Sequence, residues 1–293
     1  MKYLFLLLFC VCQVASANNF LKLYVFPTPY SYDWTTPQQL AKSVIKNSIL
    51  PSKYNYKASI GHVAVELKCG DQFYALTGMS AKDKTENNRR VLKDKIGLGI
   101  MYYPIEGTLQ TADQLNQDIA ERLGSKDISW IQYQINELTC HRLKTYLTIY
   151  RNENLDRVYG LVFNPRKKEG AGCSAFAVSF LEIAGLLTEE HRLNWSRHLF
   201  TPKDLNAYNG SANEVSIFSM ARGKNSKQWA NNSIDGLEIF FWEPNSMHHW
   251  IKKTVQNEQE RNPGVYKIQQ VGKSVGLFYD ARLTIPDLGP LFY

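Results

Sequence analysis

The feature that most restricts the fold of this chain is an alternating segment, SIGHVAVEL (residues 59–67), which a short turn joins to QFYALTG (residues 72–78). Alternation of this kind predicts a strand with one buried face, because successive side chains point to opposite sides. One alternate set is wholly apolar and is expected to face the core: Val63, Val65 and Leu67. His62 falls on the other face. The two segments together predict a β-hairpin.

Further strands and capped helices flank this hairpin, and the mixture predicts an α+β fold. Strands are predicted at residues 20–27 and 128–135, and helices follow the capping residues Thr36, Thr111 and Asn136. Beyond residue 207 the pattern of predicted elements changes. VSIFSMA, LEIFFWEP, KIQQV and SVGLFYDA are predicted strands, with a helix over SMHHWIKKTVQNEQER. This tail is compatible with a small second domain or with extra strands on the first sheet.

The first 17 residues have the pattern of a secretory signal peptide. An early lysine, Lys2, precedes an apolar run that ends in the small residues of Ala15–Ala17. We expect a secreted or periplasmic mature chain that begins at Asn18, although an uncleaved anchor is the alternative. No second apolar segment of about 18 residues is present, so we expect no stable membrane span after cleavage.

Composition limits the classes of partner and cofactor. The net charge of +7 suits an anionic surface or polymer but is too diffuse to predict a nucleic-acid partner. Neither HExxH nor CxxC occurs, nor does a P-loop or a GxGxxG motif, so we expect no metal or other cofactor.

Three cysteines remain after removal of the signal segment: Cys69, Cys140 and Cys173. An odd cysteine in an exported protein is a candidate reactive thiol. Cys69 and Cys140 could form a disulfide that leaves Cys173 free, but only geometry decides that pairing.

Cys173 opens a predicted helix in GAGCSAFAVSFLEIAGLL (residues 170–187). Unpaired N–H groups and the macrodipole at a helix N-terminus favour a thiolate there. Gly172 leaves room for a substrate, and the N–H of Cys173 could contribute to an oxyanion hole. The alternative is a small apolar cysteine that packs at a helix start.

A strand-borne GHVAVEL, followed much later by a cysteine at the start of an apolar helix, resembles the circularly permuted branch of the papain-like peptidases. That branch includes relatives of the NlpC-type cell-wall peptidases and the lecithin:retinol acyltransferase-like proteins. YGLVFNP, with Tyr159, and TPKDL (residues 201–205) agree with it, and the resemblance covers roughly residues 58–206. It implies a permuted papain-like core in which an antiparallel sheet packs against the cysteine helix. It also implies that Cys173 is the nucleophile and His62 the general base.

The chain departs from that family at the third polar residue, which usually orients the imidazole. Hairpin register places Thr77 or Gly78 roughly opposite His62, and Tyr74 near a position where acyltransferase-like members carry a second histidine. None of these is a carboxylate or an amide. A weak orienter, a backbone carbonyl or a decayed site are the alternatives.

Together these patterns and the resemblance predict a signal peptide at residues 1–17, a permuted papain-like domain at 18–207 and a C-terminal extension at 208–293. The predicted activity is that of an exported cysteine hydrolase of the peptidase or amidase type, acting on cell-wall peptide through an acyl-enzyme. Arg166 and Lys167 are candidate contacts for an anionic envelope substrate. The alternatives are a lipid acyl hydrolase or acyltransferase, and a non-catalytic binding protein that retains the fold.

Overall fold

The computed structural model describes residues 18–50, 61–83, 85–124, 128–207, 214–224, 226–260 and 264–293. The predicted signal peptide and the first two residues of the predicted hairpin, 59 and 60, lie outside these ranges. The described strands are β1 Phe20–Phe26, β2 His62–Cys69, β3 Phe73–Thr77, β4 Met79–Ala81, β5 Ile105–Leu109, β6 Ser129–Gln134, β7 Val158–Tyr159, β8 Ser196–Pro202, β9 Gly236–Trp242, β10 Lys267–Val271 and β11 Ser274–Asp280.

The described helices confirm the α+β class. They are α1 Pro37–Ile49, α2 Glu86–Leu92, α3 Ala112–Leu123, α4 Glu137–Asn152, α5 Cys173–Ile183, α6 Glu189–Trp195, α7 Ile217–Ala221 and α8 Pro244–Glu260. Three predicted caps are confirmed, because the side chains of Thr36, Thr111 and Asn136 each accept a backbone hydrogen bond in the first turn. None of the described helices is long and apolar enough to cross a membrane.

A six-stranded sheet, ordered β10-β11-β6-β1-β2-β3, forms the centre of the fold. Its neighbours are antiparallel except β11 and β6, which run parallel, so the sheet is mixed. The tail supplies β10 and β11. These two strands extend the first sheet, which is one of the two arrangements that the sequence left open for the tail.

Each face of this sheet is covered by different helices. Helices α4, α5 and α8 bury one face, which carries Val63, Val65 and Leu67, so the predicted core face of β2 is confirmed. Full burial of side chains of this size stabilises the fold by about 1.5–3 kcal/mol each. Helix α3 packs on the other face against Phe26 and Trp130.

A smaller apolar cluster lies beside the main core. It is formed by α1, α7, the segment around Leu98 and the ribbon of β8 and β9. The predicted strand VSIFSMA is wrong, because it contains α7. Ser216 accepts a hydrogen bond from the N–H of Phe218, and Ile217 and Met220 are buried. A side-chain cap and packing against α1 therefore overrode the strand propensity of this short segment.

A disulfide joins Cys69 at the end of β2 to Cys140 in α4, with Cα atoms 5.7 Å apart. The pairing that sequence left open is therefore present. It closes a loop across 71 positions of the chain and fastens the sheet to one of the helices that cover it. Cys173 is left as the free cysteine of the described chain.

Candidate active site

Cys173 is the first residue of α5, and Gly172 is its N-cap. The helix is largely apolar and packs between the sheet and α4; Phe176 and Phe180 are fully buried. Gly172 is needed for close approach, since a Cβ at this position would lie 3.0 Å from the carbonyl oxygen of Gly160. Burial of α5 thus fixes the thiol at a defined place, with 6% of the residue exposed.

The sulfur of Cys173 lies against the start of β2. It is 3.9 Å from the carbonyl oxygen of Gly61 and 3.8 Å from the hydroxyl oxygen of Ser174. Burial raises the pKa of the Cys173 thiol above its ordinary value. Hydrogen-bond donors oppose this effect and lower the pKa by less: the N–H groups of Val63 and Ser174, and the hydroxyls of Ser174 and Tyr159. At neutral pH the resting sulfur is therefore protonated.

Tyr159 lies in β7 and places its phenol beside the same sulfur. Burial raises the pKa of Tyr159 well above its ordinary value, and the neighbouring Cys173 raises it further. The backbone N–H of Cys173 donates toward the phenol oxygen and lowers the pKa by less. The phenol stays protonated and serves as a hydrogen-bond donor next to the thiol.

His62 begins β2, directly between two residues whose backbones touch the sulfur. Its imidazole packs against the ring of Phe26, with ring centroids 5.6 Å apart. A Cβ added at Gly78 would lie 3.2 Å from its Nε2. Phe26 belongs to the cluster under α3, whereas α5 packs on the valine face of β2. The structure thus brings the thiol to the backbone around His62 and places the imidazole against Phe26. The dyad of Cys173 and His62 stays a prediction.

The candidate orienting residues are engaged elsewhere. Thr77 pairs with Val65 rather than with His62, and its hydroxyl donates to the carbonyl oxygen of Gln110. Tyr74 is exposed and donates to Glu66. Of the residues proposed from the hairpin register, Gly78 is the one that lies against the imidazole, and it has no side chain to orient the ring.

Arg166 has a structural role, in contrast to the expectation that it meets substrate. The residue is only 7% exposed. Its guanidinium donates to the carbonyl oxygens of Pro290 and Leu291 and to the carboxylate of Asp287. These bonds hold the C-terminal segment against the core on the face of the sheet that α4 and α5 cover. Lys167 is exposed, and no described contact assigns it a role.

A cavity of about 350 Å³ opens beside the thiol. Cys173, Gly172, Gly61 and Tyr159 line its inner end. Most of the remaining wall is hydrocarbon or aromatic. It comes from α1 and the residues before it, from α2, α7 and β9, and from the segment around Leu98; it includes Trp34, Leu40, Ile45, Leu98, Ile100, Met101, Ile217 and Phe241. This volume lies within the range of small-molecule sites.

The carboxylate of Glu243, which lies in this wall, is already hydrogen-bonded within the protein. It accepts from the backbone N–H groups of Asn245 and Ser246 and from the amide side chain of Asn245. It therefore caps the first turn of α8. Within the described chain, no group of three His, Cys, Asp or Glu side chains is placed to hold a metal ion.

The sequence indicated Cys173 as a candidate nucleophile but did not indicate the cavity. Its walls come from segments more than 100 residues apart, and one of them, α7, was predicted as a strand. The signal that existed was local: the helix at residues 37–49 has an apolar face with Leu40, Val44 and Ile45, but its partner could not be inferred from that face alone.

Comparison with protein-family models, with curated proteins and with solved structures finds no match for this chain.

Proposed function

We propose that this chain is a thiol-dependent acyl hydrolase or acyltransferase of the permuted papain-like type, which acts on a substrate with an apolar acyl chain. One observation carries the proposal: the thiol of Cys173, at the first turn of a buried helix, forms part of the wall of an apolar cavity.

The composition of that wall supports the lipid alternative over cell-wall peptide. Burial of each methylene of an acyl chain contributes about 0.8 kcal/mol. A charged wall peptide would instead lose its hydration against side chains such as Leu40 and Phe241, which offer no compensating hydrogen bond. Cell-wall peptide remains an untested prediction from the resemblance.

In the proposed reaction the sulfur attacks the carbonyl carbon of an ester or thioester. A sulfur–carbon bond forms, the bond to the leaving alcohol or thiol breaks, and water or a second alcohol then releases the acyl group. The donors that surround the sulfur favour the thiolate when attack begins. His62 is the proposed acceptor of the thiol proton, which it returns to the leaving oxygen or sulfur. The Cys173 N–H is the proposed donor to the developing oxyanion once the substrate displaces the Tyr159 phenol from it.

A specific observation favours a second candidate, a non-catalytic protein that binds an apolar chain. The imidazole lies against Phe26, and burial keeps the thiol protonated. The same cavity would then hold a ligand that the protein carries without reaction.

Incubation with a series of acyl thioesters separates the two candidates. We expect intact mass spectrometry to detect an adduct of one acyl group on Cys173 and continuous release of the free thiol. The Cys173→Ala variant, which keeps the cavity, should bind the chain without turnover. Binding of fatty acid by both proteins, with neither adduct nor thiol release, would reject the enzyme and favour the carrier.

A further inference from the structure

The mouth of the cavity carries exposed apolar side chains from three separate helices. Ile49 of α1 is 64% exposed, Leu92 of α2 is 52% exposed and Phe218 of α7 is 45% exposed, and all three line the cavity. We call these residues the apolar rim. Single exposed apolar residues are ordinary on protein surfaces, but three that converge on one opening mark an interaction site.

The same helices, with the residues that directly follow α2 and α7, account for most of the net positive charge of the chain. Residues 37–49, 86–94 and 217–224 contain seven basic and two acidic residues, a net charge of +5 out of +7 for the whole sequence. Arg89 and Arg90 pair with Glu86 and Asp94. The surplus comes from the remaining five cations: Lys42, Lys46, Lys93, Arg222 and Lys224. An apolar rim within a basic surround complements a surface with anionic headgroups above hydrocarbon.

We propose that the apolar rim docks on an anionic lipid bilayer and that an acyl chain passes from the bilayer into the cavity that reaches Cys173. This proposal extends the proposed function and rests on it for the reaction of the acyl chain at Cys173. Docking itself needs no reaction at the thiol. With the rim buried among acyl chains, a substrate enters a hydrocarbon-lined cavity without exposing its chain to water, which is the costly step for a lipid.

A lipid occupant accounts for two features that a protein partner does not require. The rim continues directly into the cavity, so whatever covers the rim also has access to its interior. The rim comprises three separate side chains around an opening, a shape that fits mobile hydrocarbon. A second copy of this chain is the competing occupant, and the test below includes it.

The first test is co-flotation with vesicles. It uses the chain from Asn18 onward, which contains every described element, in the Cys173→Ala background so that no reaction intervenes. Vesicles of phosphatidylcholine alone are compared with vesicles that contain one third phosphatidylglycerol. We expect at least tenfold stronger partition to the anionic vesicles, weakened severalfold by half-molar salt because screening shortens the reach of charges.

Two sets of variants assign the surface. Leu92→Glu with Phe218→Glu should reduce partition at least tenfold. Its matched control is Leu283→Glu, which alters a residue 97% exposed elsewhere on the chain and should change partition less than twofold. The double variant Lys93→Glu with Arg222→Glu should weaken partition to the anionic vesicles and leave partition to phosphatidylcholine vesicles unchanged. Lys273→Glu is its control. Neither Lys93 nor Arg222 lines the cavity, so this pair should turn over a soluble short-chain thioester at the parent rate.

The outcomes separate docking from catalysis. Equal partition of rim variants and controls, or no partition of the parent chain to anionic vesicles, would overturn docking even if the thioester is hydrolysed. Vesicle binding through the rim without any thioester turnover would support docking and reject the enzyme. Light scattering that detects a dimer in the absence of lipid, abolished by the rim variants, would assign the rim to a second copy and overturn the lipid proposal.

Discussion

The sulfur of Cys173 lies 3.9 Å from the carbonyl oxygen of Gly61, and the next residue along the chain is His62. This contact ties the first turn of α5 to the first residues of β2, across more than 100 positions of sequence. The Gly61 carbonyl accepts from S–H, while the donors around the sulfur favour S⁻. Burial decides the balance and raises the thiol pKa.

The first prediction concerns alkylation of the thiol. Because the Cys173 pKa lies above its ordinary value, reaction with iodoacetamide should be slow near pH 7 and should rise tenfold per pH unit until the thiol ionises. Ser174→Ala or Tyr159→Phe removes a donor that lowers this pKa, so each should slow alkylation at pH 7.5 by about two- to tenfold. The measurement is intact mass against time.

Matched controls exist on the same helix and its neighbour. Ser179 and Tyr146 hydrogen-bond each other away from the sulfur, so Ser179→Ala and Tyr146→Phe should leave the alkylation rate at pH 7.5 unchanged within about twofold. Fast alkylation of the parent at pH 6 would contradict the expected protonated thiol.

The second prediction concerns His62. If its imidazole is the base for turnover but lies away from the resting sulfur, His62→Ala should lower kcat for a thioester by about a hundredfold or more. Alkylation at pH 8 should change less than about threefold. His141→Ala, an exposed histidine of α4, serves as the control. A fall in both thioester turnover and the alkylation rate would indicate a preformed ion pair of Cys173 and His62. No change in either quantity would favour the non-catalytic carrier.

Local chemistry made much of the fold readable in the sequence. Alternation at residues 62–67 established the core face of β2, and the small polar caps located the starts of α1, α3 and α4. The failures have a common cause. Segment 215–221 has strand-forming residues, yet a serine cap and contacts with α1 make it helical. Strand β11 pairs in parallel with β6 across more than 100 positions of the chain.

The candidate site likewise has features that local sequence predicts and features that depend on distant residues. A cysteine after glycines at the start of an apolar helix is a local pattern, so Cys173 and Gly172 could be selected. The direction of the His62 imidazole depends on Phe26 and Gly78, which the sequence separates from it by 36 and 16 positions. Arg166 lies in a basic run that suggested an anion, but its partners are more than 120 positions away.

The third prediction tests the cavity. Ala175, in the first turn of α5, lines the cavity, so Ala175→Phe should fill space that an acyl chain would occupy. We expect binding of hexadecanoate to fall at least tenfold and turnover of a butanoyl thioester to fall far less. The control is Ala120→Phe on the exposed face of α3. Calorimetric titration measures binding, and an equal loss for long and short chains would contradict an acyl site of this depth.

The fourth prediction decides between the two roles considered for Arg166. Its buried guanidinium holds the carbonyl oxygens of Pro290 and Leu291, so Arg166→Met leaves these acceptors unpaired and should lower the free energy of unfolding by about 3 kcal/mol. Lys167→Met, one residue along and exposed, should change it by less than about 0.5 kcal/mol. Urea denaturation gives both values.

Deletion of residues 290–293 removes the same bonds from the other side. Combined with Arg166→Met, it should cost less than the sum of the two separate losses, because both changes break the bonds to the guanidinium. The deletion keeps a loss of its own, since Leu291 and Phe292 also pack against the main core. Arg166→Lys should recover only part of the stability, since an ammonium group cannot bond several carbonyls with the geometry of a guanidinium fork. A variant at Arg166 that kept full stability and instead raised KM for an anionic substrate would restore the role in substrate binding that the basic run first suggested.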